Sequence, residues 1–327
     1  MDVFRTILPI EPSSRKLSHQ HKIMSLGSCF AENVGKRLAG HKFDIQINPF
    51  GILYNPLSIA TGLGFLKSDY KFTEQRLFHH QGLWHSFFHH GRFSHSSPKI
   101  CLDNINTELQ AGSTRLKELD YLILTFGTAH AFYLKRKEKV IVANCHKLPA
   151  KEFERKLLTK EQIVNVFSTY LKSLKEQNPN LQVILSVSPV RYLRDGLVNS
   201  NRSKATLLMA VHELADQFPF VSYFPAYELV TDELRDYRFF KDDMAHPSDL
   251  AIEYVWKRFQ ETYFDEATRG LNKKLHQLRR SVAHRPLHPE SEAHQKFIKS
   301  QLLNIQRLEN QYSFLDLSME KQHFLSP

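Results

Sequence analysis

A serine beside a thiol, an imidazole three residues after a carboxylate, and a dense run of histidines are the side chains here whose types and spacing could do chemistry. Ser28 and Cys29 lie in Gly27-Ser28-Cys29-Phe30-Ala31-Glu32-Asn33. A nucleophile at a strand-to-helix turn sits at the carboxyl edge of a sheet, where the positive end of the helix stabilises a thiolate, alkoxide or oxyanion. Gly27 permits the tight turn. In Asp243-Met244-Ala245-His246-Pro247-Ser248, Asp243 can hold one nitrogen of His246 while the other takes a proton as general base. Each motif alone also fits a plain turn or a helix start; together they describe a nucleophile, a base and an orienting acid. Cys29 is open to two readings, a thiol activated by a helix N-terminus or a small buried hydrophobe.

His79, His80, His85, His89, His90 and His95 fall within 17 residues. His85 and His89, four apart, could share a helix face as two metal ligands. No nearby cysteine or well-placed carboxylate completes the set, so no metal is expected, and lining a pocket or packing without a role are the other readings. Arg191, Arg194 and Arg202 follow an apolar run and could clamp a carboxylate or phosphate, or pair with Asp195, Asp236 or Glu228.

The elements that must carry these residues show as a change of period. Short apolar runs at 22–26, 44–47, 121–125, 183–187 and 221–224 alternate with helical spacing at 31–39, 57–66, 160–175, 203–217 and 248–262. Five strands joined by crossover helices predict an open, doubly wound, mainly parallel α/β sheet, which binds ligands beyond the carboxyl ends of its strands. Residues 68–118 exceed a plain crossover and are expected to form an inserted subdomain or lid. The main domain is expected over 20–265. From 266 to 327 helices broken at Arg285-Pro286 and His288-Pro289 should form an extension, with Phe297, Ile298, Leu302, Leu303, Ile305 and Leu308 as a stripe packed on the core.

The 327 residues, 42% hydrophobic and 24% charged, describe a folded chain rather than a disordered one. Three cysteines cannot form a disulfide framework, and with no leader pattern at the start and no run of about 18 apolar residues, a cytoplasmic protein without a membrane span is expected. The net charge is +10, and from Ala267 to Pro327 ten Lys and Arg face five Asp and Glu, so half the excess lies in the tail. Without RNP aromatics, zinc-finger spacing or a GxxG loop, that charge reads as a solvated helical face rather than a nucleic-acid surface.

Several motifs in order carry a more specific likeness. Gly27-Ser28-Cys29-Phe30-Ala31, Asn48-Pro49-Phe50-Gly51, Leu124-Thr125-Phe126-Gly127-Thr128, Asn144-Cys145-His146-Lys147, Ser188-Pro189-Val190-Arg191, Arg194-Asp195-Gly196, Asn201-Arg202-Ser203-Lys204 and Asp243-Met244-Ala245-His246 resemble the bacterial GSCFA domain family, itself similar to a branch of the SGNH (GDSL-type) hydrolases. The resemblance spans residues 20–262 and implies a flavodoxin-like sheet. It also implies a serine esterase or O-acyltransferase acting on an O-acyl ester of a small molecule or carbohydrate, with no cofactor. Ser28 would be the nucleophile, His246 the base and Asp243 its orienting acid, with the N–H groups of Ser28 and Gly51 as oxyanion donors. Where the superfamily has Gly-x-Asn-Asp, this chain reads Gly127-Thr128-Ala129-His130. Ala129 has no amide to donate, and the loss of one such donor can lower a rate by about 10²–10³. Thr128, His130, Asn48, Asn55 and Asn144 are candidate substitutes, with Gly127, His85, His89 and Arg191 as further pocket residues. The alternatives are a non-catalytic binding protein on this fold and an acyl transferase working through Cys29.

Overall fold

In the computed structural model, which describes residues 5–135 and 140–325, the chain opens into β1 (Ile23–Gly27), α1 (Cys29–Gly40), β2 (Ile45–Ile47), α2 (Pro56–Lys67), β3 (Phe78–His80), β4 (Leu83–His85) and α3 (Pro98–Lys117). It continues through β5 (Tyr121–Phe126), β6 (His130–Leu134), β7 (Val140–Val142), β8 (Phe153–Leu157), α4 (Lys160–Gln177), β9 (Gln182–Val187) and α5 (Gly196–Gln217). β10 (Val221–Phe224), α6 (Ala226–Glu228), α7 (Asp249–Tyr263), α8 (Glu266–Ala283), α9 (Glu292–Gln311) and α10 (Ser318–Leu325) complete it. The main sheet is parallel, in the order β10-β9-β5-β1-β2. This is the flavodoxin-like order, and the direction of winding reverses between β1 and β5, where a crevice opens beyond the strand ends.

The sheet is covered on both faces, which is why its three central strands, β1, β5 and β9, are continuous buried runs rather than alternating ones. Leu122, Leu124, Val183 and Leu185 pack against Ile163, Phe167, Leu207 and Val211 on one side. Ile23, Ile123 and Ile184 meet Phe30, Val34, Leu38, Trp256 and Phe259 on the other. All five expected strands and all five expected helices are present within a few residues, except that α5 starts seven residues earlier than the spacing indicated.

Two connections differ from the expectation. The stretch 68–118 is not one subdomain: residues 98–117 are α3, the ordinary crossover into β5, capped by Ser97. Only the part before it, with the β3–β4 hairpin, is an insertion. A second insertion, the antiparallel sheet β7-β6-β8, lies between β5 and α4 and was not legible as such. The C-terminal stripe closes mainly on α8 and α10, where Ile305 and Leu308 meet Leu271, Leu275, Leu278 and Phe324 while Leu303 stays 55% exposed. This helical layer touches the main domain at the end of α1: Lys42 pairs with Glu320, and His19 stacks between Phe43 and Phe314. Among the described residues no helix is long and apolar enough to cross a membrane.

Candidate active site

β1 ends on Gly27, whose φ is +145°; a Cβ there would lie 2.2 Å from the Thr125 carbonyl oxygen, so only glycine lets β1 and β5 end side by side. Asn48 Oδ1 accepts from the Gly27 N–H at 2.9 Å. Ser28 follows as the N-cap of α1, 1% exposed, its Oγ accepting from the Phe30 N–H at 3.3 Å. A cavity of about 210 Å³ opens at this rim. It is lined by Ser28 and Cys29 after β1, Tyr54 after β2, Gly127 after β5, Ser188 and residues 190–194 after β9, and His246 ahead of α7. Two side chains 218 positions apart in sequence, Ser28 and His246, therefore face one space.

The imidazole is held from behind. Its Nδ1 is 2.6 Å from Asp243 Oδ2, while Asp243 Oδ1 accepts from the N–H groups of Ala245 and His246, both at 2.9 Å. Those two backbone donors and the ring pull the Asp243 carboxyl down to about 2. The left-handed residue Met244, φ +54°, makes the turn that brings carboxylate and ring together. Ser28 Oγ is not hydrogen-bonded to His246 in this arrangement.

The Cys29 thiol lies in the same cavity, but burial raises its pKa by more than the N–H groups of Phe30 and Cys29 itself lower it. At neutral pH it is a thiol, not the thiolate that nucleophilic attack needs.

The expected oxyanion donors are engaged elsewhere. The Ser28 N–H donates to the Thr125 carbonyl at 3.1 Å, and the Gly51 N–H to the Asn48 carbonyl at 2.6 Å. Gly51 does not line the cavity; its missing side chain makes room for His90, whose Cβ would lie 2.3 Å from a Cβ on Gly51. The N–H groups of Gly127 and Thr128 both donate to the Tyr54 carbonyl at 2.9 Å. Of these four residues, only Ser28 and Gly127 line the cavity.

The remaining candidates divide by place. Arg191 lines the cavity. Thr128 and His130 lie behind it: Thr128 Oγ1 is 3.0 Å from Ser203 Oγ, and His130 Nδ1 is 3.6 Å from Asp195 Oδ2. Asn48 positions the Gly27 turn, Asn55 caps α2, and Asn144 Oδ1 accepts from the His146 N–H at 2.9 Å. His85 and His89 do not reach the cavity either. His85 bonds Ser94 Oγ at 2.6 Å, and His89, fully buried among Phe50, Phe72 and Phe93, bonds Ser86 Oγ at 2.9 Å. Burial drives the pKa of His89 to about 3 and that of the neighbouring His146 to about 4, so this region is an aromatic core rather than a polar lining. Among the described residues no group of three His, Cys, Asp or Glu is placed to hold a metal ion.

One residue escaped functional reading of the sequence. Lys204 is 3% exposed, and its amine donates to the carbonyls of Gly127 at 2.6 Å and Ser188 at 2.5 Å, both cavity residues. Burial lowers its pKa from 10.5 to about 7. Its position was visible as a lysine on the buried stripe of α5, with Ser200, Ser203, Leu207, Val211 and Leu214.

A doubly wound α/β protein with a serine and a carboxylate-held imidazole at its switch point is thus the class that fold and site define. The model of the GSCFA family matches residues 22–259, and that of the GSCFA domain protein C-terminal domain matches residues 275–326; the chain belongs to the GSCFA family. No curated protein matches it. Similar solved structures include a Streptococcus pneumonia chain described as a "putative platelet activating factor" (14% identity, TM-score 0.38, 76% of this chain and 84% of that one). Another is the acetyl xylan esterase Est2A from the rumen bacterium Butyrivibrio proteoclasticus (12% identity, TM-score 0.36, 83% of this chain and 66% of that one).

Proposed function

We propose that the protein is a serine ester hydrolase or O-acyltransferase working through an acyl-enzyme on Ser28. The observation that carries this reading is the shared cavity of Ser28 and the His246–Asp243 pair. Ser28 Oγ attacks the acyl carbon and His246 Nε2 takes its proton, which passes to the departing alcohol. Water, or a second hydroxyl in a transferase, then gives its proton to His246 as it attacks the acyl-enzyme, and His246 passes that proton to the released Ser28 oxygen. The imidazole is half-exposed, so it has room to turn onto the hydroxyl. Asp243, ionised at any pH above about 2, keeps the Nδ1 proton and leaves Nε2 as the base. The positive end of α1 and the buried Lys204 amine contribute to the field around Ser28. The substrate class implied by the family resemblance is an O-acyl ester of a small molecule or carbohydrate.

Labelling the intact chain with a fluorophosphonate probe tests this: modification abolished in Ser28→Ala and retained in Cys29→Ala is expected. The reverse pattern would instead support transfer through the Cys29 thiol. A non-catalytic binding protein is favoured by one observation, that the N–H groups of Ser28, Gly51, Gly127 and Thr128 all point at backbone carbonyls. No labelling of the folded wild type would decide for that reading.

A further inference from the structure

Among the described residues, none that lines the cavity beside Ser28 is an Asp or Glu: its ionisable lining is Cys29, Tyr54, Tyr192, His246 and two arginines, Arg191 and Arg194. The three acids that could have neutralised those arginines are engaged. Asp195 pairs with Arg155 and lies beside His130, Asp236 caps and pairs with Arg238, and Glu228 accepts from the Tyr223 hydroxyl at 2.8 Å. Among the described residues neither Arg191 nor Arg194 has a carboxylate within 4.0 Å. Arg191 is fixed all the same. Its N–H donates to the Ala245 carbonyl at 3.0 Å, tying it to the residue before His246, and its guanidinium lies 5.1 Å over the Phe240 ring. Stacking on one face leaves the edge of the guanidinium, with its N–H donors, to recognise an anion.

We propose that Arg191 and Arg194 form an anion subsite, so that the ligand of this cavity is a small ester carrying a carboxylate or phosphate close to its acyl bond. Two arginines and no carboxylate residue among those that line the space favour an anion there, and its size, about 210 Å³, puts any group bound there near Ser28. Tyr54 and Tyr192, edge to face at 5.8 Å, supply the apolar wall on which the uncharged part rests.

The turnover part of this proposal rests on the esterase reading above; the binding part does not. The first experiment compares kcat/KM for 4-nitrophenyl acetate with that for the carboxylate-bearing mono-4-nitrophenyl succinate, in wild type, Arg191→Gln and Arg194→Gln. The ratio of anionic to neutral ester should exceed one in wild type, fall about tenfold in each variant, as the loss of a charge-assisted hydrogen bond does, and shrink between 0.05 and 0.5 M NaCl. A ratio at or below one, or one that neither variant changes, overturns the proposal. The second experiment measures succinate and inorganic phosphate binding to Ser28→Ala by calorimetry, with and without each arginine. Binding that needs the arginines upholds the subsite even if no ester is turned over, which would sink only the esterase reading; the ligand that binds tells carboxylate from phosphate, and absence of binding by both overturns the subsite.

Discussion

Asp243→Asn probes the site with little change of shape. Asp243 Oδ1 accepts from two backbone N–H groups at 2.9 Å. An asparagine must keep its carbonyl oxygen there, because its NH2 would otherwise meet two donors. The NH2 then falls where Oδ2 was, 2.6 Å from His246 Nδ1. Nδ1 has to become the acceptor, so the ring proton moves to Nε2, the nitrogen that receives the Ser28 proton in the proposed mechanism. In the buried triad of serine proteases the same swap lowers kcat about 10⁴-fold. Here the ring and carboxylate are 47% and 51% exposed, so water competes for the tautomer. The expected loss is therefore about 10²–10³, or roughly 3–4 kcal/mol of barrier at about 1.4 kcal/mol per decade. The assay is the second-order rate of fluorophosphonate labelling at Ser28, followed from pH 6 to 9. Asp243 stays ionised throughout that window, so the gap between wild type and variant should not depend on its titration. With the backbone bonds retained, the melting temperature should move by only a few degrees. A variant that labels within threefold of wild type would refute the role given to His246 and Asp243 together.

Three other perturbations have definite signs. Gly127→Ala would place a Cβ 3.3 Å from Ser28 Cβ and 3.0 Å from the Tyr54 carbonyl; labelling of Ser28 should slow at least about tenfold with about 1–3 kcal/mol of destabilisation, and a variant as reactive as wild type would show that Ser28 is not so closely confined. His19, His89 and His146, driven by burial to about 4, 3 and 4 from 6.5, take up protons in the unfolded chain well before the folded one. Their stabilisation is complete above pH 6.5 and declines as pH falls toward 4, by up to about 1.4 kcal/mol per pH unit for each ring; equal urea midpoints at pH 7 and pH 5 would contradict it. Lys204, lowered to about 7, is protonated in the unfolded chain alone between pH 7 and 10.5, so stability should rise with pH there by up to about 1.4 kcal/mol per unit; Lys204→Met should remove that slope in urea titrations, and identical slopes would show the amine to be unburied in solution.

The main sheet was legible because β1, β5 and β9 are short apolar runs with both faces covered, and the helices α1, α4, α5 and α7 carry stripes at helical spacing. The glycine that ends β1 and the Asp243-to-His246 spacing made the two halves of the candidate site readable as well. Less was visible in the connections. The strands β6, β7 and β8 lie partly against solvent, with Glu154, Arg155 and Lys156 in the middle of β8, so their mixed composition gave no continuous apolar run. The histidines at 85 and 89 misled for a related reason. Imidazole suits a pocket or a metal, but here it fills space between aromatic rings, and only the packing of residues distant in sequence decides which. Backbone donors were the hardest to place, since the destination of the Ser28 and Gly51 N–H groups depends on loop paths that residue type does not determine.

The loop after β5 explains why the side-chain amide implied by the family resemblance is missing. Ala129 is fully buried; its N–H donates to Ser203 Oγ at 2.7 Å and its carbonyl accepts from the Leu158 N–H at 2.8 Å. The chain turns inward there to start β6, and an amide pointing into the cavity would have to leave that packing. What stands under the rim instead is Lys204, whose amine bonds the Gly127 and Ser188 carbonyls and so ties the ends of β5 and β9 together. A protonated amine in that position adds positive potential without touching the substrate, and removing it leaves two buried carbonyls without a donor, each at a cost of about 1–3 kcal/mol. The tie and the field can be separated by pH. If the tie is what matters, the ratio of Ser28 labelling in the wild type to that in Lys204→Met should be level across pH 6 to 8; if the field matters, that ratio should decline as the amine loses its proton near pH 7.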